Sequence, residues 1–191
     1  MDMSSLSRAD LERELLSPPT DGGAARHACD GEACYGTTPV RSDPLARKLC
    51  VARELLMRDL RARMQAGPIM DSPQVVRDWL RLYCAGLEHE VFVVLYLTAQ
   101  HALIEAVRHF SGTLTQTSVY PREVVKGALA RNAAAVVFCH NHPSGHAEPS
   151  RADEYLTQTL KASLSMVDVR VMDHLIVAGE HAVSMAERGL V

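Results

Sequence analysis

The sequence predicts an α/β or α+β domain in which helices flank one central sheet, and three observations lead there. Two strongly apolar runs, Val91–Leu97 and residues 133–139, have the length of strands. Between and after them lie segments with helical start signals, at Pro121 and at Ser150, so strands and helices share one stretch of chain. Hydrophobic residues make up 47% and charged residues 23% of the 191, enough apolar surface for a core of this kind. Nothing approaches the roughly 20 consecutive apolar residues of a membrane span.

Charge divides the chain into three parts. Residues 1–44 carry 4 Lys/Arg and 8 Asp/Glu and are rich in Gly, Pro, Ser and Thr after Ser17. They predict a mostly disordered tail, with one short helix over residues 7–16. His27, Cys29 and Cys34 make at most a partial metal site, because no second pair of ligands follows. Residues 45–66 carry 6 basic and 2 acidic side chains. Leu45, Leu49, Ala52, Leu56, Leu60 and Met64 predict the buried stripe of a basic amphipathic helix, stopped by Gly67-Pro68. Residues 67–191 form the main domain. It opens with a helix from Ser72-Pro73 to Cys84, with Ser72 as N-cap. Strands follow over residues 90–97 and 103–109, then a helix over 121–132 and a buried strand over 133–139. A polar loop containing Pro143, Gly145 and Pro149 leads into a helix over 150–165, and strands over 167–177 and 182–185 close the domain.

The chemistry concentrates in the segment from Cys139 to Asp153. His140 and His142 stand two apart at the end of a strand, so their imidazoles share a face, while Cys139 and Asn141 point the other way. That alternation disfavours a Cys139–His140 nucleophile pair. Ser150 and Asp153 stand three apart at a helix start and share its first turn. A loop that folds this turn over the strand end brings two imidazoles and a carboxylate together. Such a nitrogen and oxygen set suits Zn²⁺ with a position left for water. Ser150-x-x-Asp153 also reads as a capping box, and Ser7-x-x-Asp10 repeats it far from any such histidine pair. The weight therefore rests on the histidine pair, and capping and metal binding are compatible at Asp153.

A zinc-activated water needs a proton acceptor beside it. Glu88, Glu90, Glu123 and Glu148 are the candidates, and Glu90 is preferred because it places a charge at the mouth of an otherwise apolar strand.

The pattern Glu90 … His140-x-His142-x7-Ser150-x2-Asp153 resembles the JAMM motif of JAB/MPN-domain zinc hydrolases. More closely, the chain resembles the RadC family. The residues carrying this are Ser118-Val-Tyr-Pro-Arg-Glu-Val124, Asn132-Ala-Ala134, His140-Asn-His-Pro-Ser-Gly145, Asp173-His174 and Ala186-Glu-Arg-Gly-Leu190. The similarity covers residues 68 to the C-terminus and extends less clearly over 45–66. It implies a JAB/MPN-like central mixed β-sheet flanked by helices, with one Zn²⁺ per chain held by His140, His142 and Asp153. It further implies peptidase or isopeptidase chemistry with Glu90 as base and Ser150 as oxyanion donor. Residues 1–44 do not match the helix–hairpin–helix region of longer RadC members.

A second reading is a DNA-associated accessory or protein-interaction module with a structural or vestigial zinc. It rests on the basic helix and on the family's association with DNA repair. The net charge of −3 weighs against phosphate-backbone binding and leaves room only for a weak or indirect DNA association. The partner expected of an enzyme here is a peptide or protein substrate. Five scattered cysteines and an acidic N-terminus without an apolar leader predict a cytoplasmic protein with reduced thiols.

Overall fold

The computed structural model describes residues 3–18, 44–112 and 119–191. The chain divides into two compact units, Met1–Arg58 and Asp59–Val191. In the first, α1 (Arg8–Leu16) is the expected short helix. Ser7 caps it by accepting from the Asp10 amide. Leu11 is fully buried, Glu14 pairs with Arg47 at 2.5 Å, and Lys48 donates to the Ser17 carbonyl. Residues 3–18 are therefore an ordered part of this unit rather than tail. His27, Cys29 and Cys34 lie outside the described residues.

The long helix α2 (Pro44–Ala66) forms over the expected residues, but its buried face matches the expected one only in part. Met64 of the expected stripe is buried, whereas Leu45, Leu49 and Leu56 are more than half exposed and Val51, outside the stripe, is buried. Helical spacing identifies a stripe, and only the docked neighbours decide which stripe is covered. No helix among the described residues is long and apolar enough to cross a membrane.

In the second unit, α3 (Pro73–Cys84) begins at Pro73, whose missing N–H costs nothing in a first turn. Ser72 precedes it but makes no side-chain capping bond, so its expected capping role is not realised. Five strands follow in one mixed sheet of order β2-β1-β3-β4-β5: β1 (Val91–Leu97), β2 (Leu103–Ser111), β3 (Ala135–Asn141), β4 (Arg170–Ala178) and β5 (His181–Ser184). Only β3 and β4 run parallel, and helix α5 (Arg151–Ser165) makes their crossover. Helix α4 (Pro121–Ala130) joins β2 to β3.

Every residue of β1 and of β3 is buried. This explains their continuous apolar runs, since strands covered on both faces have no solvent side to alternate with. Phe92, Val94 and Tyr96 of β1 and Val136 and Phe138 of β3 pack with Val124 and Ala128 of α4 and Leu160 and Leu164 of α5. The same two-residue period carries His140 onto this face, where Phe92 lies opposite it in the β1–β3 register. Close packing of α4 on the sheet requires Gly127. A Cβ there would lie 2.2 Å from the Tyr96 hydroxyl.

Candidate functional site

The end of β3 and the first turn of α5 build the site. β3 delivers His140 on the α4/α5 face, and a turn begins at His142, whose carbonyl accepts from the Gly145 amide. Gly145 has φ +83°, a backbone conformation that suits glycine. The chain then enters α5 through a complete capping box. The Asp153 amide donates to Ser150 Oγ at 3.2 Å, and the Ser150 amide donates to Asp153 Oδ2 at 2.8 Å. The Ser150 hydroxyl donates to the same Oδ2 at 2.6 Å. With Oδ2 so engaged, Oδ1 faces His140 Nε2 at 3.2 Å.

The three expected ligands thus converge, with ligating atoms all within 4.8 Å of one another. His140 Nε2 and His142 Nε2 are 2.9 Å apart, and His142 Nε2 lies 3.7 Å from Asp153 Oδ2. His142 Nδ1 faces the His146 carbonyl at 2.7 Å, so that nitrogen donates and Nε2 is the atom turned to the cluster. Two ring nitrogens and a carboxylate at these distances are favourable only with a cation or proton among them. The site can therefore hold a metal ion, and its nitrogen and oxygen donors suit zinc. At Asp153, burial opposes ionisation, but the hydrogen bond and charge of His140 and the bonds from Ser150 outweigh it and hold its carboxyl well below the usual range. It stays a carboxylate, as a ligand must.

A cleft of about 440 Å³ opens beside these residues and is lined by Glu90, His140 and Asp153 together with Tyr120, Tyr155 and Leu156. The four candidate bases separate here. Glu90 lines the cleft. Glu88 is exposed at the approach to β1, Glu123 is exposed and paired with Lys126 at 3.3 Å, and Glu148 is held by Arg188.

Sequence reasoning missed the residues that position these groups. Asn141 accepts from the Val91 amide at 2.8 Å and donates to the His89 carbonyl at 3.1 Å. It clamps the backbone on both sides of Glu90, so the strand that carries the histidines also fixes the carboxylate. Its only sequence signal was its place between them. His174 of β4 is fully buried and stands between His140 Nδ1 at 2.8 Å and Thr157 Oγ1 at 2.6 Å. Burial, followed by the neighbouring His140, pushes its pKa well below the usual imidazole value, so it is neutral. Cys139 points to the opposite face, as the alternation requires. Burial and the adjacent Cys84 push its thiol up, the reverse of an activated nucleophile.

A five-stranded mixed sheet with a His–His–Asp cluster where its central strand meets a crossover helix defines a JAB-type domain. A family profile described as the RadC-like JAB domain matches residues 70–190. The chain belongs to this family. It is 57% identical over 155 residues to a UPF0758 protein of Leptothrix cholodnii, covering 81% of this chain and 68% of that one. A UPF0758 protein of Aromatoleum aromaticum is 51% identical over 189 residues, covering 98% and 83%. One from Nitrosomonas eutropha is 56% identical over 186 residues, covering 97% and 82%.

Proposed function

We propose that the protein is a zinc-dependent hydrolase of peptide or isopeptide bonds, acting in the cytoplasm, where the buried thiols of Cys84 and Cys139 stay reduced. The observation that carries this reading is that Glu90 lines the same cleft as His140 and Asp153, which puts a carboxylate beside the metal-ligand cluster. His140 Nε2, His142 Nε2 and Asp153 Oδ1 would hold the ion. Zinc held there supplies Lewis-acid polarisation of a carbonyl and makes water acidic enough to ionise near neutral pH. Glu90 accepts the proton of the attacking water and returns it to the leaving nitrogen. Ser150 Oγ donates to the oxyanion, which requires its hydrogen to turn away from Asp153 Oδ2. The apolar cleft walls, among them Val119, Tyr155 and Leu156, would accept the substrate chain.

The basic helix lends the alternative of a DNA-associated module less charge than its sequence suggests, because Arg47 is engaged by Glu14, and Arg58 by Glu54 and the Met3 and Ser4 carbonyls.

Metal analysis of the purified protein should find about one zinc per chain, lost on His140→Ala, His142→Ala or Asp153→Ala. Zinc retained by the triple variant would overturn the assignment. Glu90→Gln should keep zinc and fold but lose about 10²–10⁴-fold in hydrolysis of a peptide or isopeptide substrate. Undiminished turnover would assign the base to another carboxylate.

A further inference from the structure

Behind His140 runs a buried chain of three polar groups: Thr157 on α5, His174 on β4 and His140 on β3. Thr157 Oγ1 lies 2.6 Å from the carbonyl oxygen of Asp153, one turn back along α5. A carbonyl can only accept, so the single hydroxyl hydrogen of Thr157 goes there. Thr157 Oγ1 then faces His174 Nδ1 at 2.6 Å with lone pairs alone, and His174 Nδ1 must carry a hydrogen. His174 is fully buried between Thr157, His140 and the rings of Phe92 and Phe138, none of which carries a negative charge to offset a second ring proton, so its Nε2 is bare. It faces His140 Nδ1 at 2.8 Å and can only accept. His140 Nδ1 must therefore donate, and His140 Nε2, turned toward His142 and Asp153, is the nitrogen left to hold a proton or an ion.

The opposite polarity fails at the start of the chain. If Thr157 donated to His174, two oxygens that both accept would face each other at 2.6 Å with no hydrogen between them. That is a repulsive contact at a residue with no solvent exposure, where no water can intervene. Ring contacts hold the geometry. His174 stands edge-on to Phe92 at 5.6 Å and to Phe138 at 5.7 Å, so its plane cannot turn freely.

We propose that Thr157 and His174 are positioning residues which hold His140 Nδ1 as a donor before any metal arrives. The hydroxyl of Thr157 decides which nitrogen of His174 is protonated, and His174 thereby reserves His140 Nε2 for the ion. The same Thr157 hydroxyl grips the carbonyl of Asp153, so one side chain governs two of the three ligands. This inference rests on the metal site proposed above, though its central claim concerns protons on residues that exist without the metal.

Two measurements test it. Imidazole ¹⁵N chemical shifts of metal-free wild-type protein, near pH 8, should show His174 as the Nδ1–H tautomer. Finding His174 as Nε2–H would overturn the proposal whatever the metal does. Zinc titration by calorimetry should then show Thr157→Val weakened about 10–100-fold, in the range for loss of an outer hydrogen bond to a metal ligand. Thr157→Ser should restore affinity because it keeps the hydroxyl. Val nearly matches Thr in shape, and thermal unfolding of each metal-free variant separates lost positioning from lost fold. Equal zinc affinity in wild type and Thr157→Val would also overturn the proposal. If wild-type protein bound no zinc, the hydrolase reading would fall, and the His174 tautomer would still decide this one.

Discussion

Ser150 carries two roles that one perturbation can separate. In the structure its Oγ makes two bonds: it accepts from the Asp153 amide and donates to Asp153 Oδ2. Ser150→Ala removes both, and the backbone bond from the Ser150 amide to Oδ2 survives. The position is exposed, so water can replace the lost acceptor. The cost should therefore fall in the lower half of the N-cap range, about 0.5–1 kcal/mol. For a unit of this size that corresponds to a fall of about 2–5 °C in the melting temperature. Ser150→Asn preserves a capping acceptor and should melt within about 1 °C of wild type. Catalysis should respond differently. Asn leaves no hydroxyl beside the site, and loss of one oxyanion donor should slow hydrolysis by about 10²–10³-fold. Scanning calorimetry of metal-free protein gives the first quantity, and single-turnover cleavage of a peptide or isopeptide substrate gives the second. Wild-type turnover in Ser150→Asn would refute the oxyanion role and leave Ser150 as a helix cap. An unchanged melting temperature in Ser150→Ala would refute the capping estimate.

Two further predictions concern the packing behind the site. In Gly127→Ala the new methyl would meet Tyr96 Oη at 2.2 Å and Cζ at 2.9 Å, and Tyr96 is pinned by a 2.6 Å bond to His109. Overpacking of about 1–3 kcal/mol should exceed the helix-propensity gain of up to about 1 kcal/mol, giving a net loss in urea unfolding; a stabilised variant would contradict this. Burial pushes the Tyr96 phenol up to about 12. Its raised value means the folded state keeps the proton longer than the unfolded chain, so its stabilisation is complete below pH 10 and is lost between pH 10 and 12. The difference in unfolding midpoint between wild type and Tyr96→Phe should shrink over that window, and a difference independent of pH would refute the assignment.

The sequence by itself determined what was local. Apolar runs long enough for strands marked β1 and β3, because a strand covered on both faces must be apolar throughout. Pro at a first helical position marked α3 and α4, and the Ser150–Asp153 spacing marked α5 and its capping box, since each depends on neighbours within one turn. The two-residue period of a strand placed His140 and His142 together and turned Cys139 away. Tertiary structure alone decided what depends on residues far apart in the chain. Periodicity in α2 pointed to Leu45, Leu49, Leu56 and Met64, yet the three leucines are exposed while Met64 is buried together with Val51 from outside the stripe, because burial belongs to the docked neighbour and not to the helix. Glu90 separated from Glu88, Glu123 and Glu148 only when the sheet brought it to the cleft. Asn141 and Thr157 looked like ordinary strand and helix residues, and His174 was marked only by family resemblance. Their work lies in contacts spanning 52, 17 and 34 positions, and a hydrogen bond to a distant partner leaves no periodic trace in either segment.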